Sequence, residues 1–218
     1  MQNSYLQLEF KDTPHSSILA GFTDTERIIN GVSRVVVEPS VNDFAEVPIT
    51  LIPTYPDLPM EKVYPRTGDM HNSQLYLREF PDGGRVAYFP FDLDRTFHEI
   101  LTHDHLRLMR NTVDWSLHEE APFECTGPGF VDATVWRNSD AVVVHLVNLT
   151  NPMTMKGPFR DFFPIGAQTI TLRLPELNSV ATAQLLVADK TVQAARSGNA
   201  LRVEVPGVLD HEVVVIEF

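Results

Sequence analysis

The chain opens on alternation: Tyr5, Leu6 and Leu8 stand among Asn3, Gln7 and Glu9, which predicts a half-buried strand close to the first residue. After a turn over 14–17 come Ile18, Leu19, Ala20 and Gly21, then two β-branched runs at 32–37 and 47–52, closed by Pro39 and Pro53. Pro53, Pro56, Pro59 and Pro65 exclude regular structure over 53–69 and leave an extended loop. Two further strand-like runs, 74–80 and 85–91, flank Pro81-Asp82-Gly83-Gly84, whose chemistry supplies a preset φ and tolerance of positive φ. That pairing predicts a hairpin.

At His105 the period changes. Leu106, Met109, Val113 and Leu117 recur at three- and four-residue steps, predicting the one amphipathic helix, of roughly 13 residues, capped by Thr102 or Asp104. Residues 122–129, PFECTGPG, read as a linker. Beyond them the pattern is wholly β, with strands expected at 130–137, 141–149, 168–174, 181–188, 200–205 and 211–217. Polar turns at Asn138-Ser139-Asp140 and Ser197-Gly198-Asn199 mark two more hairpins. The chain thus divides into an α/β region over 1–120, a linker over 121–129 and an antiparallel sandwich or barrel over 130–218.

One connection breaks the polar pattern. In the loop 151–166, NPMTMKGPFRDFFPIG, the apolar side chains Met153, Met155, Phe159, Phe162 and Phe163 belong to interdomain core, to a partner interface or to a sugar-stacking platform.

Charge narrows the partners: 17 Lys and Arg against 29 Asp and Glu give a net charge of −12, which repels phosphate backbones and anionic membrane surfaces. Cys125 is the single cysteine, so no intramolecular disulfide and no cysteine metal knuckle can form. With no basic, apolar leader at the N-terminus and no apolar run of membrane-spanning length, the cytoplasm is the expected compartment. The sequon Asn148-Leu149-Thr150 then reads as a strand end.

Catalytic motifs are sparse. No G-x-S-x-G string offers a serine nucleophile, and Cys125 sits in a Pro/Gly segment with no helix after it, so a buried, inert thiol is expected. Gly83-Gly84 lies in a hairpin and cradles no phosphate, and no cofactor has a visible seat. The densest polar cluster is Asp92, Asp94, Arg95, His98, Glu99, His103, Asp104 and His105, between the last strand of the α/β region and the helix. Asp92, Asp94, His98, His103 and His105 are candidate metal ligands for an assisted hydrolysis, but their spacing does not aim two imidazoles at one ion from a helix. A solvated loop with an Arg95–carboxylate ion pair is the plainer expectation.

Five strings, GFTDTERIINGVSRV, LIPTYPDLPMEKVYPR, GRVAYFPFDLDRTF, DHLRLMRNTVDWSL and HLVNLTNPMTMKGPFRDFFPIG, together resemble the C-terminal region of bacterial proteins related to the trimeric β-galactosidases. In that family a catalytic barrel is followed by a domain similar to class I glutamine amidotransferases that serves in trimerisation, and then by a small β domain. The resemblance implies that residues 1 to about 118 are the second half of a flavodoxin-like, amidotransferase-like α/β layer and that an antiparallel β-sandwich follows. It implies a non-catalytic accessory region, because the family's catalytic glutamates have no positions here to map onto. The expected partners are further copies of the chain or a catalytic glycosidase barrel, with a carbohydrate as the alternative. A partial sheet exposes an edge, so self-association is expected through the N-terminal strand, Tyr5 to Leu8, or through the loop 151–166.

Overall fold

A computed structural model describes residues 4–10, 16–30, 34–37, 49–53, 69–150 and 161–218. The chain divides into two units, Met1–Glu120 and Ala121–Phe218.

In the first unit, β1 (Tyr5–Leu8) lies between β2 (Arg27–Ile29) and β3 (Ile49–Ile52), and β4 (Asp69–Ser73) completes a sheet in the order β2-β1-β3-β4. Every pairing in it is antiparallel, with Leu6 opposite both Ile28 and Leu51. The expected flavodoxin-like layer is therefore not what the described residues form. A parallel layer needs helical crossovers between its strands, and among the described residues the two α-helices of this unit both follow its last strand. Nor is Tyr5–Leu8 an exposed edge, since its backbone is paired on both sides.

The predicted hairpin is present as β5 (Tyr76–Glu79) and β6 (Arg85–Tyr88). Its turn is fixed by the Asp82 carboxylate, which accepts the Gly84 N–H at 3.1 Å, and by Gly83 at φ +88°. Two helices follow where one was expected: α1 (Leu93–Ile100) and α2 (His103–Leu117), joined through Leu101 in the left-handed conformation. Thr102 caps α2, accepting the His105 N–H.

The buried face of α2 is not the predicted one. His105, Leu108, Thr112 and Trp115 face inward, while Leu106, Val113 and Leu117 are exposed. Two polar residues can lie on the inner face because each finds a partner: His105 bonds the Ile29 carbonyl and Thr112 donates to the Leu108 carbonyl at 2.7 Å. The core beneath gathers Leu6, Leu8, Phe22, Ile28, Leu77, Leu108 and Trp115, among others.

Where a sandwich or barrel is expected, the second unit has an eight-stranded antiparallel sheet, nearly closed on itself. Its strands are β7 (Phe123–Thr126), β8 (Val131–Arg137), β9 (Ala141–Asn148), β10 (Gln168–Leu172), β11 (Thr182–Leu185), β12 (Lys190–Ser197), β13 (Ala200–Val205) and β14 (His211–Glu217). The order is β7-β10-β13-β12-β11-β14-β9-β8. Strand β12 makes the sheet continuous: residues 190–193 pair with β11 and residues 194–197 with β13. Such a strand, shared between two halves of a sheet, is how a corner is turned.

The segment expected as a linker contains β7, which pairs with β10 and places Cys125 opposite Ile170. Only residues 127–130 separate the two edge strands, β7 and β8. They are pinned where Gln168 Nε2 donates to the Pro128 carbonyl at 2.9 Å and Thr150 Oγ accepts the Phe130 N–H at 2.8 Å. Alternate residues fill the interior, among them Val142, Val144 and Leu146 of β9, Leu201, Val203 and Val205 of β13, and Val214 and Ile216 of β14. Each such side chain contributes about 1.5–3 kcal/mol on burial.

Candidate functional site

The polar cluster of residues 92–105 is helical, not a loop. Asp92 starts α1, and its main-chain oxygen accepts the Thr96 N–H at 2.9 Å and hydroxyl at 2.8 Å. Asp94 lies in the first turn and His98 in the last, both exposed. Arg95 and Glu99 form the anticipated ion pair at 2.9 Å, one helical turn apart. The Glu99 carboxylate, by bond and charge, raises the already high pKa of Arg95.

His103 is exposed at the start of α2, whereas His105 is buried and turned toward β2. Burial lowers the pKa of His105, against the opposing effects of the Ile29 carbonyl and the Asp104 charge. Asp92, Asp94, His98, His103 and His105 therefore do not converge. Among the described residues no group of three or more His, Cys, Asp or Glu side chains is placed to hold a metal ion.

Two hollows flank the helices of this unit. One, of about 340 Å³, is lined by Tyr5, Arg27, Ile28, Ile29 and Asp104. The other, of similar size, is an apolar cleft between β6 and the two helices; Tyr88, Phe89, Phe91, Leu93, Met109 and Val113 line it, with Asp94 as its charged residue. Val113 is 55% exposed and continues the cleft into the outward stripe of α2 with Leu106 and Leu117. The sequence pattern shows that stripe clearly, but assigns it to the core.

In the second unit Cys125 is half-buried, and burial raises its thiol pKa away from the reactive thiolate. Asn148 of the sequon is buried; its amide donates to the carbonyls of Phe163 at 2.8 Å and Leu209 at 2.7 Å, and its Oδ1 accepts the Thr150 N–H at 2.9 Å. These bonds hold the backbone under Phe162 and Phe163, whose rings are exposed. Met153, Met155 and Phe159 lie outside the described residues. Trp136 is 67% exposed on the outer face of the sheet. Across the strands it heads a row with Val143 and Val215, followed by the row Thr134, His145 and Val213.

The fold can be set against known proteins. No family model matches the chain, and no curated protein matches it. Among solved structures, α-L-fucosidase isoenzyme 2 from Paenibacillus thiaminolyticus aligns with 100% of this chain at a TM-score of 0.67 and 15% identity. A catalytic mutant of a GH42 β-galactosidase from G. stearothermophilus aligns over 86% of the chain at 9% identity, with a TM-score of 0.38. The chain spans 32% of the fucosidase. Among the described residues no helix is long and apolar enough to cross a membrane. What this chain shares with the fucosidase is thus a fold, over its own whole length and about a third of the enzyme's.

Proposed function

We propose that this chain is a non-catalytic accessory region of a glycoside-hydrolase-like protein, serving assembly and support of an active site carried by a catalytic barrel. One observation carries the reading: the whole chain has the fold of about a third of a fucosidase. The β-galactosidase-type resemblance of its sequence strings supports the same class of protein. The direct test assays the purified chain on aryl galactosides and aryl fucosides. No turnover is expected, and turnover that follows the protein through purification would overturn the proposal.

Assembly is read by light scattering across a concentration series. With β1 paired on both sides, self-association is assigned to one of two exposed apolar surfaces: Phe162 with Phe163, or the Leu106, Val113 and Leu117 stripe of α2. Replacing Phe162 and Phe163 with serine, or Val113 with glutamate, should lower the mass if the altered surface is the contact. A monomer at every concentration would remove the self-assembly part of the reading.

A second reading, carbohydrate binding by the β unit, is favoured by the exposed ring of Trp136 beside Thr134 and His145. It predicts saturable quenching of tryptophan fluorescence by galactosides or fucosides, lost in Trp136→Ala. A flat titration removes this reading.

A further inference from the structure

His105 is a buried imidazole, at 1% exposure, and both of its ring nitrogens are engaged. Nε2 lies 2.9 Å from the Ile29 carbonyl, which can only accept, so Nε2 carries the proton. Nδ1 is then bare and accepts the hydroxyl of Thr102, the residue that caps α2. A single neutral side chain thus ties β2 to the first turn of the longest helix.

A second ring proton is disfavoured here for three reasons. It removes the lone pair that receives the Thr102 hydroxyl. It puts positive charge in the first turn of a 15-residue helix, where the macrodipole is already positive. It also charges a group that water does not reach. Of the neighbouring charges, Asp104, on the same helix, favours the proton, and Arg27 of β2 lines the same hollow as Asp104. Tyr5 of β1 completes that wall, and His103 on the same helix is exposed.

We propose that the His105 bridge is an acid-sensitive latch: below about pH 6.5 a proton is taken up most readily by a ring that has swung into water, so acid opens the joint between β2 and α2. The sign follows from linkage. The closed form binds fewer protons than the open one, so closure is fully favoured above the ordinary imidazole pKa of about 6.5 and weakens as pH falls below it.

Amide hydrogen exchange on the full chain tests this. Rates at about pH 7.5 and 5.5, one unit to either side of the free imidazole value, are corrected for intrinsic exchange and read over residues 27–30 and 102–110. Strand β13 serves as the internal reference. The open population at the joint should rise between the two conditions, by at most about tenfold, with β13 unchanged. His105→Gln, which keeps a donor and an acceptor but does not titrate, should abolish the rise. An equal pH response in wild type and variant, or none in wild type, overturns the latch. Should the variant fail to fold, the wild-type ring is followed by NMR: a midpoint below about 6.5 supports the latch, and one at or above it overturns it.

Discussion

The two units solve the same problem by different means. In the second unit strands of up to eight residues alternate, β9 and β14 most clearly, and the ladders close around an almost unbroken aliphatic interior. In the first unit the described strands are three to five residues long. There, side chains that reach backbone carbonyls hold the pieces together. Asn111 donates to the carbonyls of Ile18 and Ala20, each at 2.9 Å, Arg107 to Gly21 at 2.9 Å and Arg85 to Trp115 at 2.8 Å. Arg85 and Arg107 also lie over the rings of Trp115 and Phe22. Where ladders are long, apolar alternation is enough to specify a fold; where they are short, polar side chains must finish the job.

The contrast is most open to attack through the two cores. Leu146→Ala in β9 and Leu108→Ala in α2 each remove a fully buried side chain and should each cost about 2–5 kcal/mol. Hydrogen exchange should show each loss confined to its own unit; an equal loss of protection in both would mean that they unfold as one. A polar tie in the ladder-built unit sharpens the point. The buried Glu212 carboxylate accepts the N–H groups of Val187, Ala188 and Val213 at 2.8–3.1 Å, and Glu212→Gln should cost about 1–3 kcal/mol by leaving a donor unmet. Protease cleavage near residues 186–189 reads this change, and an unaltered cleavage rate would remove Glu212 from the account. The smallest effect belongs to Gly83→Ala, where a methyl meets nothing and only the left-handed backbone costs, about 1–2 kcal/mol. Gly129→Ala should cost more in thermal unfolding, because its methyl would lie 2.6 Å from Thr150 Oγ and 2.7 Å from an Ile165 methyl.

Legibility in the sequence follows the same division. β8, β9, β13 and β14 alternate over six to eight residues, and the expected strands lie within a residue of those observed. β12 was not legible, because Val192 and Ala194 alone turn inward among Lys, Thr, Gln and Arg. β7 was hidden by the Pro and Gly residues around it. The sequence of α1 reads as a charged loop because its apolar positions are few and its surface is dominated by charge. On α2 the apolar period was real, yet His105 and Thr112 occupy the inner face through bonds to partners that no periodicity reveals. Of the candidate surface residues, Phe162 and Phe163 are exposed, whereas Tyr5 lies on an inner strand, because strand order is set by pairings far apart in the chain.

The shared strand β12 has a consequence for how this chain can change length. One residue gained or lost between positions 193 and 194 would turn every side chain on one half of the strand to the opposite face, exchanging interior for surface along its pairing with either β11 or β13. The turn at Ser197-Gly198-Asn199 bears no such constraint on which face is inside: a methyl added at Gly198 meets nothing within 4 Å. Insertions in descendants of this sequence should therefore collect at that turn and leave the middle of β12 at a fixed length.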